Sequence, residues 1–183
     1  MKRDFLTRLA IVLAFAGNLI AAEPPTMPQP TKEHQWLNQF AGEWDVETEA
    51  FVAPDQPPMK LKGTESARML GGFWVVGENK GEYMGTPFTG LMTFGYDPEK
   101  KKYVGTWVDS NTSALWQYVG TVDASGKMLM LETEGYCPIE GKVCQFKNTI
   151  EFKSKDHRVL TGTRLGKDGK WTKAMTVTAR RKQ

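Results

Sequence analysis

Few side chains in this sequence can attack, ligate or shuttle protons, and their settings already narrow what they could do. The two histidines are His34, beside a proline-rich stretch, and His157, in the charged turn Lys155-Asp156-His157. Both read as surface residues, which leaves no multi-histidine metal centre and no His-based triad. Gly-x-Ser-x-Gly, His-Glu-x-x-His, a Walker loop and a Gly-x-Gly-x-x-Gly opening a helix do not occur. Ser125 belongs to the turn Asp123-Ala124-Ser125-Gly126, which offers neither a strand-to-helix elbow nor an oxyanion pocket. The carboxylates Glu65, Glu78, Glu82, Glu132 and Glu134 are expected to point outward into solvent. Asp109 differs, because it shares strand parity with Trp107 and opens the polar cluster Asp109-Ser110-Asn111-Thr112 at a strand end. It serves either an Asx-type turn that satisfies its own backbone or a ligand contact.

Cys137 and Cys144 are the only cysteines. In an oxidising compartment they are expected to form a disulfide across the base of a hairpin whose loop is the six intervening residues. Metal binding is the rival, but a lone Cys pair without a nearby His falls short of the four ligands of a structural zinc site.

Aromatic residues are the stronger functional lead. Trp74, Tyr83, Phe88, Phe94, Tyr96, Tyr103, Trp107, Trp116 and Tyr118 lie in consecutive middle segments, and small-ligand pockets are mostly apolar with a few convergent polar groups. Tyr83, Tyr96, Trp107 and Asp109 are therefore the candidate ligand-binding residues. A filled aromatic core is the alternative.

The elements that must position these groups are strands. Beyond Gly42 the chain is a succession of ten segments rich in Val, Thr, Phe, Tyr and Trp, cut by turns such as Leu70-Gly71-Gly72 and Gly166-Lys167-Asp168-Gly169. They are 44–51, 60–70, 73–83, 88–96, 102–109, 115–123, 128–136, 144–153, 159–165 and 171–180. Short connections join antiparallel neighbours, and no crossover helix is available for a parallel sheet. Alternation such as Cys144-x-Phe146-x-Asn148-x-Ile150-x-Phe152 gives one apolar and one wet face. The expected fold is all-β, an up-and-down antiparallel barrel, since closure removes the edge strands. Before it, Trp36, Leu37 and Phe40 at helical spacing predict one short helix over 32–40 that stops at Gly42.

The start of the chain reads as a signal peptide. Lys2, Arg3 and Arg8 precede an apolar run from Leu9 that ends at Ala21-Ala22, after which the proline-rich stretch 23–31 serves as a tether. The run to Ala22 is 14 residues and contains Asn18, too short for a spanning helix of roughly 20. The expected domains are thus a leader, 1–22, a tether, 23–31, and one barrel-like domain, 32–183. The mature protein is expected to be exported, to the periplasm or the medium. It would keep 21 basic and 20 acidic residues, which excludes an electrostatic nucleic-acid footprint.

The opening Leu37-Asn-Gln-Phe-Ala-Gly42-Glu-Trp44 resembles the calycin signature, in which a short helix leads to Gly-x-Trp on the first barrel strand. More of the chain is similar to the bacterial family catalogued as domain of unknown function 1579. The similarity continues through Leu70-Gly71-Gly72-Phe73-Trp74, Pro87-Phe88-Thr89-Gly90, Gly95-Tyr96-Asp97 and Trp107-Val108-Asp109-Ser110, to the turn at Gly120 and Asp123. The resemblance implies a lipocalin-like barrel and no established activity. It also implies that Trp44 closes one barrel end beneath a cation of the last strand, for which Arg180 is the candidate. Calycin-like proteins that hold haem do so through a barrel-lining histidine, which neither His34 nor His157 supplies. No cofactor is therefore expected. The readings left standing are a module binding a small apolar or amphipathic ligand, a solid-core structural or interaction module, and an enzyme of unrecognised type.

Overall fold

The computed structural model describes residues 27–52, 56–137 and 139–183. The proposed leader and residues 23–26 of the tether lie outside them. Ten antiparallel strands form a closed barrel in the order β1-β10-β9-β8-β7-β6-β5-β4-β3-β2. They are β1 (Gly42–Ala50), β2 (Met59–Leu70), β3 (Trp74–Tyr83), β4 (Thr86–Asp97), β5 (Lys102–Asp109), β6 (Trp116–Val122), β7 (Met128–Cys137), β8 (Lys142–Ser154), β9 (His157–Leu165) and β10 (Trp171–Arg181). Every expected strand is present, with ends moved by at most two residues. The expected helix splits into α1 (Lys32–Trp36) and a 3-10 turn over Leu37–Phe40. Among the described residues no helix is long and apolar enough to cross a membrane.

Period-two burial explains closure. On β7, Leu129, Leu131, Thr133 and Cys137 turn inward while Met130, Glu132, Glu134 and Tyr136 face solvent, so each strand contributes one apolar edge to a shared interior. The β3–β4 hairpin is tighter than the turn residues suggested. Met84 and Gly85 form a two-residue connection with φ of 51° and 80°, and Tyr83 pairs directly with Thr86. Positive φ at both centres is the twist-matched geometry for a hairpin.

α1 and the 3-10 turn plug one end. Leu37 and Phe40 are fully buried in the main core with Val75, Phe94, Tyr103, Leu129 and Phe152. The indole of Trp36 packs on Phe40, Tyr103 and Phe152 and donates to the Gly126 carbonyl at 2.7 Å. His34 is buried, not exposed as expected. Its Nδ1 accepts from the Thr31 backbone N–H at 3.0 Å, and its ring sits edge-on to Phe73 and Tyr96. The proline-rich stretch adjoining it led the sequence reading astray, because an N-terminal cap contact with Thr31 holds the ring inward.

Trp44 closes the same end, but the cation over it is Arg181. The Arg181 guanidinium lies 4.2 Å from the ring centroid, and Trp44 Nε1 donates to the Phe40 carbonyl at 2.8 Å. Arg180 pairs with Asp45 in register and is exposed. The candidate was off by one residue, and on a strand one residue is the opposite face. Arg181 also donates to the carbonyls of Ala41, Gln39 and Lys155 at 2.6, 3.3 and 3.2 Å. This explains the glycine of Gly-x-Trp. Gly42 has φ +131°, and a Cβ there would overlap the Arg181 guanidinium.

Cys137 and Cys144 do not form the expected disulfide, and both are free and buried. β7 and β8 run further into the hairpin than the sequence suggested. Cys137 therefore faces Lys142, and Cys144 faces Gly135, so the two cysteines are diagonal neighbours rather than opposed across a loop base. Burial, and then the neighbouring Cys137, push the Cys144 thiol above its ordinary value, which keeps it a poor nucleophile. Arg164 Nη1 lies 3.5 Å from Cys137 Sγ.

Candidate functional site

Above the plug the barrel is hollow. A cavity of about 470 Å³ is walled mainly by Phe88, Met92, Phe94, Trp107, Trp116 and Tyr118, with Leu131, Ile150 and Leu160 opposite. That size lies inside the roughly 300–1,000 Å³ typical of small-molecule sites. Part of the space comes from glycine. Gly63 and Gly81 face each other across β2 and β3, and a Cβ on Gly63 would strike the Lys80 carbonyl. The wall there is bare backbone. The cavity reaches from Phe40 at the plugged end to Tyr83, Lys62 and Ala174 at the other.

Of the expected ligand residues, Tyr83 and Trp107 line the cavity and Tyr96 and Asp109 do not. Tyr96 lies at the plugged end, with ring centroids 5.6 Å from His34 and 5.1 Å from Tyr103. Strand tilt puts residues of similar sequence depth at different heights along a barrel axis. Asp109 acts one step back from the cavity. Its Oδ2 accepts from Trp107 Nε1 at 2.9 Å, and its Oδ1 accepts from the backbones of Asn111 and Thr112 at 2.9 and 3.0 Å. Of the two roles the sequence offered, the carboxylate takes the turn, and in place of a ligand contact it orients the Trp107 indole. The Trp107 ring lies across Gly90, where a Cβ would overlap it, and stacks with Phe88 at 6.2 Å and 25°.

The sequence reading missed the polar floor. Glu65 was expected in solvent, yet Arg158 Nη2 donates to its Oε1 at 2.6 Å with side chains only 8% and 6% exposed for Arg158 and Glu65. The Arg158 guanidinium also lies 4.5 Å over Trp44 and 5.1 Å over Phe40. It is thus pinned between the closing tryptophan and the plug. A signal was present on the inner face of β2, where Glu65 sits in line with Gly63 and Ala67 in a row of small residues. Arg158 Nη1, Asn79 Nδ2 and Thr133 Oγ1 are buried without a hydrogen-bond partner among the described residues, and all three residues line the cavity.

Higher in the wall, burial raises the Tyr118 phenol to about 12, against an opposing pull from Asn148. Burial likewise raises Tyr103 to about 12. Both folded values lie above the ordinary value near 10. The stability they contribute is therefore complete below pH 10 and is lost as pH rises toward 12. The measurable result is phenolate absorbance in the folded protein that lags the unfolded chain by two tyrosines. Tyr118→Phe should remove half of the lag, and an unchanged lag would place Tyr118 in solvent.

The wall has one weak seam. β6 and β7 pair only from Val119–Glu132 to Val122–Leu129. Beyond that an outer groove reaches Tyr118, Thr133 and Phe146, which also line the cavity. The Trp116 indole covers Gly135 at this seam. No histidine lines the cavity, and among the described residues no three His, Cys, Asp or Glu side chains are grouped to hold a metal ion.

Comparison with solved structures bears on the fold. The protein Rv2717c from M. tuberculosis superposes with a TM-score of 0.59 at 12% identity, covering 85% of this chain and 100% of that one. The S-type phycobiliprotein lyase CPES from Guillardia theta superposes with a TM-score of 0.56 at 13% identity, covering 85% and 99%. Both are similar to this chain in fold alone at such identities. No curated protein matches the sequence. A family profile matches over residues 29–181, nearly all of the described barrel, and so the chain belongs to the family described as protein of unknown function, DUF1579.

Proposed function

We propose that this protein binds a small, mostly apolar molecule inside its barrel and does so outside the cytoplasm. The observation that carries the reading is the 470 Å³ cavity, lined by aromatic and aliphatic side chains over a buried polar floor. A solid-core module has no use for this volume, because a void forfeits contacts that a larger side chain would make. Catalysis is not favoured by the same cavity, since it holds no nucleophile beside a base.

Native mass spectrometry of gently purified protein should show a retained small molecule. Titrated back, that molecule should quench tryptophan emission strongly in the parent and much less in Trp107→Phe. Trp116 also lines the cavity, so some quenching should persist. Equal quenching in the two proteins would remove Trp107 from the site.

Export rests on the basic start, the apolar run and Ala21-Ala22 before the prolines. Mature protein recovered from the envelope or medium should begin near Glu23, and N-terminal sequencing that finds Met1 would overturn export.

A further inference from the structure

The cavity is apolar along its walls but carries an excess of donors at its floor. Arg158 spends Nη2 on Glu65 and leaves Nη1 unpartnered. Asn79 stands opposite Glu65 in register, so its side chain shares the inner face, and its Nδ2 has no acceptor. Thr133, in the wall at the β6–β7 seam, adds a hydroxyl free to donate or accept. The one carboxylate at the floor, Glu65, is already engaged by Arg158. Donors left buried without acceptors are costly, so the site favours a molecule that brings an acceptor with it.

The charge of that acceptor follows from the same geometry. Arg158 and Glu65 form a neutral pair whose side chains are almost wholly buried. A carboxylate arriving there would leave the floor with one net negative charge, close to the buried Glu65, which low-dielectric surroundings penalise. The rim lysines do not compensate. Lys80 is paired with Glu78 at 2.9 Å and Lys62 with Glu47 at 3.7 Å, all of them side chains in solvent. We infer that the ligand is an uncharged, largely aromatic or aliphatic molecule with a terminal carbonyl-type oxygen that accepts from Arg158 Nη1 and Asn79 Nδ2 at the cavity floor. The inference rests on the cavity being a ligand site. It also gives the ion pair a purpose, since an apolar pair of similar volume would commonly fold as well.

Three probes of nearly equal shape separate the two claims: 2-isopropenylnaphthalene, 2-acetylnaphthalene and 2-naphthoate, titrated at neutral pH by tryptophan fluorescence and calorimetry. The ketone should bind about tenfold or more tightly than the hydrocarbon, as one hydrogen bond to a charged donor would give. The naphthoate should bind about tenfold or more weakly than the ketone. In Glu65→Gln the floor becomes net positive, and the order of ketone and naphthoate should reverse. Asn79→Leu, which alters no charge, should reduce the margin of ketone over hydrocarbon. If none of the three binds, the cavity-binding reading itself falls. If hydrocarbon and ketone bind equally, or if naphthoate is the tightest ligand of the parent, the cavity stands as a site and this inference is overturned. Should Glu65→Gln fail to fold, the order of the three probes on the parent protein still decides.

Discussion

Trp44→Ala should cost the barrel about 3–5 kcal/mol, the usual loss when a buried tryptophan is truncated, and should leave much of the protein unfolded at moderate temperature. The ring is fully buried, hydrogen-bonded to the Phe40 carbonyl at 2.8 Å and flanked by two guanidiniums, Arg181 at 4.2 Å and Arg158 at 4.5 Å. Its removal opens a void at the junction of the first strand, the last strand and the plug. The milder Trp44→Phe allows a double-mutant cycle in urea. Trp44→Phe and Arg181→Ala should couple, since a cation over an indole contributes about 0.5–2 kcal/mol. Trp44→Phe and Arg180→Ala should add, because Arg180 is exposed on the opposite face of the strand. Coupling to Arg180 with none to Arg181 would refute the register of β1 with β10.

Arg158→Met should be nearly as damaging, at about 3–5 kcal/mol, because it leaves the Glu65 carboxylate buried and unpaired. Adding Glu65→Leu should recover most of the loss, to within about 1 kcal/mol of the parent, since the buried charge is then gone. The pair of urea curves is the measurement. A single variant of parental stability would mean that water reaches Glu65. A double variant no better than the single would mean that the ion pair shapes the floor beyond neutralising itself. The recovered double variant should also lose most of the ketone preference of the cavity while still binding the hydrocarbon probe, which ties the floor's charge to selectivity and not to folding.

Asp109 and Trp107 show how far local reading reaches. Two residues of one strand at equal parity share a face in any barrel, and a carboxylate at a strand end readily caps the following turn, so the turn and the common face were legible from spacing while the bond between the two side chains was not. The strands were legible for the same reason: alternation and turn chemistry act within a few residues. The β3–β4 turn was not, because Met84 is an unexpected residue at φ 51° and the strands flanking it override its preference. His34 and Glu65 were placed outside because polar residues usually are. What holds them inside is a partner, Thr31 in one case and in the other Arg158, 93 residues away.

By itself the sequence determined that the chain forms ten antiparallel strands behind a short helix and that aromatic residues crowd the middle strands, while the place of Trp44 at a closing end came from the resemblance to the calycin opening. Period and turn type are short-range properties, and they need no knowledge of what lies across the barrel. Only the tertiary structure decided which residues share a height. Closure with tilted strands put Tyr96 under the plug and Trp107 in the wall, selected Arg181 over Arg180, kept Cys137 and Cys144 diagonal, and brought Glu65, Asn79, Thr133 and Arg158 to one cavity. Those meetings depend on register summed around ten strands, and a slip of a single residue in any of them would send a different set of side chains inward.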